Sequence, residues 1–347
     1  RQRESFRAEL GHRLLVAFPN CEADEHLFLV AEQFVGLSPG LVDEADRKPV
    51  ARILLAVGRR AKEAVAFAIA LSHLDAGMAV LGKEGWTQDF SLALALRHEA
   101  AECAGVVQDL GRLEQLRREV TEHSSDLKDL LPVLAPLPML YLSRFMVKEM
   151  KQLGIEILQR LDYPVKRTPS RVARRIAETR KALLEAFGGC EGKELANLPP
   201  TTDLDFAFLS HWLSPIFVGL YFGIPTLLLH FTVSIALRMK KEGLVKEAAW
   251  YFVWVSANLS GSVNAKEIDC GLRLGEASRL LLDDAARLDQ PEIPSIHIYN
   301  VFVRPWREPL DRCCSHLIDQ YNLATTRGDL VYAGWGITAN LLYLFEL

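Results

Sequence analysis

Net charge is almost missing from this sequence. Its 40 basic and 44 acidic side chains leave only −4 over 347 residues, so the basic excess or stripe that holds a nucleic-acid backbone is absent. Cysteine is sparse. Cys21, Cys103, Cys190, Cys270, Cys313 and Cys314 are scattered, several within apolar helical patterns where the thiol behaves as a small hydrophobe. That usage speaks for a reducing compartment, the cytoplasm, rather than a secreted scaffold. No stretch alternates apolar and polar residues between turn signals, which argues against strands. The start carries no secretory leader, and a chain opening on Arg1 rather than Met is expected to be a piece of a longer polypeptide.

What is present is helical periodicity. Half of the residues are hydrophobic, ample for a continuous core. The clearest stretch is Trp86 to Val120. Ala93, Leu96, Ala100, Cys103 and Val107 recur at helical spacing, Asp109-Leu110-Gly111 breaks the pattern, and Leu113, Leu116 and Val120 resume it. The spacing predicts a helical hairpin, and a hairpin cannot bury its apolar stripe without neighbours of the same kind.

Those neighbours are predicted on both sides. Phe6 to Phe18 and Glu25 to Val35 read as short helices, and Glu44 to Leu81 as a helix, a break near Gly58 and a second, alanine-rich helix. Pro132, Pro136 and Pro138 exclude one straight helix between Leu127 and Leu142. Phe145 to Leu161 and the basic stretch Val172 to Phe187 follow. Gly188 to Asp203 is the best linker candidate, so a single helical region spanning 1–347 would subdivide near 188–203. Beyond it, Leu244 to Ala257, Leu272 to Leu288, Ile296 to Val303, Leu310 to Thr325 and Leu330 to Phe345 read as helices. Gly243, Ala248 and Trp250 are echoed by Gly328, Ala333 and Trp335, 85 residues on. That distance is close to twice the roughly 40-residue period of two-helix repeats.

Several fragments, in their order along the chain, carry a resemblance. They are Ala51-Arg-Ile-Leu-Leu-Ala-Val-Gly58-Arg-Arg-Ala61-Lys, Ala66-Phe-Ala-Ile-Ala70 with Gly77 and Leu81, Trp86, Ala101-Glu102, and Leu153-Gly154-Ile155-Glu156. Leu198-Pro199 with Asp203, Arg304-Pro305-Trp306-Arg307-Glu308-Pro309-Leu310 and Arg327-Gly328-Asp329 with Ala333 complete the series. Together they resemble the degenerate tetratricopeptide-like helical region of very large signalling proteins. In those proteins it follows a STAND-class AAA ATPase domain, often with a protein-kinase-like domain ahead, and precedes GAF and histidine-kinase modules. The resemblance implies an all-α superhelical stack of antiparallel helix pairs, a degenerate α-solenoid. Its implied role is a noncatalytic scaffold or regulatory segment that contacts other domains of the same polypeptide and a protein partner on its concave face. Any ATP and magnesium would belong to an upstream domain. It also marks Gly58, Trp86, Ala101, Glu102, Gly111, Gly154, Trp306, Gly328, Asp329 and Ala333 as architectural rather than chemical. The proline-broken segment at 132–138 departs from the usual pattern.

Apparent catalytic motifs do not hold together chemically. Gly36-Leu37-Ser38-Pro39-Gly40 spells a hydrolase nucleophile elbow, but Pro39 lacks the N–H that would serve the oxyanion hole. His98-Glu99-Ala-Ala-Glu102 has Glu102 where a helical zinc pair needs its second histidine. Cys313-Cys314-Ser-His316 lacks zinc spacing, and Gly189-Cys-Glu-Gly192-Lys193-Glu194 lacks the Ser or Thr of a phosphate loop. The basic run from Lys166 to Lys181 has no interleaved aromatics for base stacking and reads as a solvated helix face. Phe206 to Leu237 contains no Asp, Glu, Lys or Arg, which raises a membrane span as the alternative. Pro215, Gly219, Gly223 and Pro225 cut it, so two buried helices joined near Gly223-Ile224-Pro225 are expected. A free-standing repeat protein that binds a partner is the other alternative.

Overall fold

A computed structural model describes residues 2–18, 26–161, 169–223, 225–284 and 292–346. Helices follow one another through the described residues. Among the described residues the sole β pairing is one isolated bridge between Pro200 and Leu244. The chain divides into two compact units, Arg1–Arg160 and Leu161–Leu347. Gly188 to Asp203 lies inside the second unit and is packed. Its helix Gly192–Ala196 lies so close to Ala265–Asp283 that a Cβ on Gly192 would sit 2.8 Å from the Arg273 carbonyl oxygen.

The first unit is built around three consecutive hairpins. Glu44–Glu63 pairs with Phe67–Leu81, and Phe90–Val106 with Leu110–His123. Leu137–Ser143, set off from Leu127–Leu134 at Ala135 and Pro136, pairs with Val147–Arg160. The break in the first hairpin falls at Ala64 to Ala66, six residues beyond Gly58. Gly58 sits mid-helix because it is the contact point, where a Cβ would lie 2.6 Å from Leu74 Cγ. Asp109 caps the helix that begins at Leu110 by accepting from Arg112 N at 2.9 Å, which places Gly111 inside that helix instead of in the turn.

All three hairpins close through one turn. Val65, Gln108 and Phe145 adopt left-handed φ of 61°, 59° and 57°. In each case the following residue donates its N–H five residues back, Ala66 to Ala61, Asp109 to Ala104 and Met146 to Tyr141, at 2.8–2.9 Å. This is the Schellman closure, which satisfies carbonyls stranded at a helix end. The next helix starts one residue later every time.

Among the described residues the second unit repeats the device once. Between Leu310–Thr326 and Leu330–Glu346, Gly328 has φ 74° and Asp329 donates to Ala324 at 2.9 Å. The echo at Gly243 is different in kind. Its φ is 96°, and its neighbour Leu244 pairs with Pro199 and Thr201 before the next helix begins at Ala248. The uncharged segment forms Leu204–Gly223 and Pro225–Glu242, joined where the prolines and glycines predicted, with Phe206, Phe217 and Phe231 buried. No helix among the described residues is long and apolar enough to cross a membrane. Ala248–Ser260, buried along most of its length, packs against Ala265–Asp283, which begins seven residues before the predicted start.

Candidate functional site

Most of the residues marked by sequence serve packing, turns or an ion pair. Trp86 is 8% exposed and stacks on His123 with ring centroids 4.2 Å apart, while the Arg97 guanidinium lies 4.2 Å from its ring. Arg97 donates to Glu119 and to the Ala93 carbonyl, each at 2.9 Å, so this cation–π contact locks the hairpin of Phe90–Val106 and Leu110–His123. Ala101 is fully buried and Glu102 reaches Lys62 at 2.7 Å. Gly154 and Ala333 are buried, and the Asp329 carboxylate accepts from Tyr332 N at 3.1 Å, capping the last helix. Trp306 is 55% exposed.

The motifs rejected on chemical grounds are occupied otherwise. Ser38 donates to Glu4 in the loop ahead of Glu44–Glu63. His98 bonds through Nε2 to the Asp129 carbonyl at 2.7 Å, and Glu99 accepts from Arg59 and Lys62. Cys313 and Cys314 are core side chains. In the basic run, Arg180 pairs with Glu267 at 2.5 Å and Arg174 with Glu178 at 3.5 Å; Lys166 and Arg167 lie outside the described residues. Among the described residues one acidic and histidine cluster has metal-ligand proximity, His12 with Asp43 and Asp46. It lies on the surface, with His12 bonded to Asp46 at 2.6 Å.

A concave site does exist, within the second unit, and the sequence pattern gave no sign of it. A cavity of about 240 Å³ is walled by Tyr221, Trp254, His297, Phe302, Tyr332 and Trp335. They come from helices Leu204–Gly223, Ala248–Ser260, Ile293–Ile298 and Leu330–Glu346 and from a π-helical turn, Tyr299–Val303. Ring centroids lie 5.0 Å apart for Tyr221 and Trp254, 5.5 Å for His297 and Tyr332, and 4.9 Å for Tyr332 and Trp335.

Pro305 accounts for part of this wall. It has no N–H to return to the carbonyl of Val301, four residues back. The Tyr343 hydroxyl supplies that bond instead, donating to Val301 O at 2.5 Å, and burial pushes its pKa up to about 12. A π-turn in place of an α-turn re-aims the side chains that follow, and Phe302 of this turn becomes a face of the cavity.

His297 is a polar member of the wall, beside the hydroxyl-bearing Tyr221, Tyr332 and Thr338. Gln320 donates from Nε2 to His297 Nδ1 at 2.8 Å and to the Tyr332 carbonyl at 3.2 Å, while its Oε1 accepts from Asn300 at 3.4 Å. Those partners orient the amide, so Nδ1 accepts and the ring proton sits on Nε2. Burial holds the His297 pKa down at about 4, which keeps the imidazole neutral near pH 7. Among the described residues no carboxylate, lysine or arginine lines the cavity. Its chemistry is therefore that of a recognition pocket, with aromatic faces and a neutral N–H donor. Compared with protein-family models, curated proteins and solved structures, the chain matches none.

Proposed function

We propose that the chain is a noncatalytic scaffold or regulatory segment, a superhelical stack of tetratricopeptide-like helix pairs within a large STAND-type ATPase and kinase signalling protein. One observation carries the architectural part. Polar bridges between elements recur at separations near one two-helix period. Arg59 meets Glu99 across 40 residues, Arg112 meets Asp75 across 37, and Arg117 meets Glu156 across 39. Even the turns are linked, Arg144 donating to the Gln108 carbonyl across 36. Each bridge joins corresponding parts of successive hairpins. This is the nearest-neighbour coupling through which a stack transmits displacement.

The role follows from resemblance and from that coupling: hairpins receive a conformational change from an ATPase module and pass it to an output module. Deleting Trp86 to Val120 from the full-length polypeptide is expected to uncouple the output from the ATPase module while an isolated ATPase domain still turns over. Unchanged regulation in that deletion would overturn the proposal. Native-state hydrogen exchange tests the architecture separately. A nearest-neighbour stack opens hairpin by hairpin from its ends, whereas a single cooperative opening of Arg1–Arg160 contradicts it.

A further inference from the structure

The aromatic cavity of the second unit has the marks of a built ligand site. His297 is 7% exposed, and its Nε2–H has no hydrogen-bond partner among the described residues although Nδ1 is firmly held by Gln320. The His297 ring itself lines the cavity. A second N–H, Trp254 Nε1, is buried in the same wall and also unpartnered among the described residues. Leaving donors unpaired in an apolar setting is costly, and native proteins seldom do so without a reason.

We propose that this cavity binds a small, neutral, planar aromatic molecule bearing one hydrogen-bond acceptor, with His297 Nε2–H as the donor to that acceptor. Size sets the first limit: about 240 Å³ is below the roughly 300 Å³ at which drug-sized pockets begin, so one ring system fills it. The flat walls of Tyr221, Trp254, Phe302 and Trp335 set the second, because offset and edge contacts favour a ring over a branched aliphatic group. Charge sets the third. A carboxylate would enter without a cationic partner, and a quaternary ammonium, which aromatic faces could otherwise attract, would meet the positive edge of an N–H instead of a carboxylate.

The probes are acetophenone, α-methylstyrene, which has the same shape without the carbonyl oxygen, and phenyltrimethylammonium. The readout is the indole N–H spectrum of the ¹⁵N-labelled chain, whose six tryptophans give separable signals, with Trp254 and Trp335 assigned by Trp→Phe variants. Acetophenone is expected to shift both signals saturably, and to bind at least about tenfold more tightly than α-methylstyrene, the contribution of one hydrogen bond. His297→Phe should erase that preference and leave the two affinities equal. Leu342→Trp, at a position on the cavity rim that is 60% exposed and so tolerant of change, should block both. Equal affinity of ketone and alkene for the unaltered chain would overturn the proposal, and so would a preference for the cation or the absence of saturable shifts. Unchanged ketone binding in Leu342→Trp would place the site elsewhere and overturn it too. The ketone-to-alkene comparison needs no variant, so it decides even if His297→Phe fails to fold.

Discussion

Gly58 of the first hairpin lies directly against Leu74 of its partner helix. A Cβ added to Gly58 would meet Leu74 Cγ and Cδ2 at 2.6 Å, and Leu74 is fully buried with no room to withdraw. Gly58→Ala should therefore destabilise the chain by about 1–3 kcal/mol through overpacking, although alanine is the better helix former by about 1 kcal/mol. Urea denaturation of Gly58→Ala, Leu74→Ala and the double variant checks this. The cost of Gly58→Ala should shrink in the Leu74→Ala background, because the clash then has no target. Additive costs would show that the glycine is there for another reason.

The left-handed turns predict gains. Val65 is β-branched, exposed and held at φ 61°, and Phe145 is exposed at φ 57°. For such side chains this region costs on the order of 1–3 kcal/mol, and glycine occupies it freely at some entropic cost. Val65→Gly and Phe145→Gly should each raise stability by about 1 kcal/mol in thermal unfolding. Val57→Gly, in the middle of Glu44–Glu63 and fully buried, should do the opposite. A loss of stability at Val65 would mean that its side chain makes a contact worth more than the strain.

These turns also explain where sequence reading succeeded and failed. Helices with a strong apolar stripe were legible, down to the junction at Gly223 to Pro225, because proline and glycine punctuate them and periodicity fixes their inner face. The hairpin closures were not, since three of the four use Val65, Gln108 and Phe145 where glycine is the usual signal. The glycine signal accordingly places the break at Gly58, whose missing side chain instead serves close packing against Leu74. Gly328 was singled out for its echo of Gly243, yet its structural counterparts are residues of other types. The aromatic cavity was invisible for a different reason. Tyr221, Trp254, His297 and Tyr332 are separated by 33, 43 and 35 positions, and each one alone looks like core packing.

Glu99 and Glu102 point from one helix to Lys62, but they differ in surroundings. Glu99 is 16% exposed at its side chain and accepts from both Arg59 and Lys62, whereas Glu102 is 49% exposed and has Lys62. Burial tends to raise the Glu99 pKa, and the Lys62 and Arg59 hydrogen bonds outweigh it and hold the carboxyl below its usual value. Glu99→Gln should cost about 1–3 kcal/mol near pH 7, and Glu102→Gln less than about 1 kcal/mol. Since the folded pKa of Glu99 is depressed, its contribution is present above the ordinary carboxylate pKa and fades as pH falls through the folded value. Equal costs for the two variants in urea denaturation would contradict this division.

Tyr343 tests the cavity wall without touching the cavity. Its hydroxyl replaces the donor that Pro305 lacks at the Val301 carbonyl. Tyr343→Phe should cost about 1 kcal/mol, and Pro305→Ala, which restores a backbone N–H, should reduce that cost in the double variant. A double variant no better than Tyr343→Phe alone would show that the Val301 carbonyl does not recover its backbone bond.

His297 predicts the pH dependence of the second unit. Burial lowers its pKa to about 4 from the ordinary 6.5, so the unfolded chain takes up the imidazole proton first as pH drops. Its stabilising share is therefore complete above pH 6.5, declines between 6.5 and about 4, and is gone below that, a loss of up to about 3 kcal/mol. Glu292 titrates in the opposite sense. Burial raises its pKa to about 7, against the hydrogen bond from Ser295, so its share is present below pH 4.5 and lost as pH rises through 7. The two slopes oppose each other between pH 4.5 and 6.5, and unaltered protein should show a shallow dependence there. His297→Phe removes one of them. Its stability relative to the unaltered chain should rise as pH falls from 6.5 to 4.5, a trend that urea midpoints at several pH values would read directly. A constant difference across that range would mean that the folded imidazole titrates at its ordinary pKa, and that the neutral donor at the cavity wall is not maintained below pH 6.5.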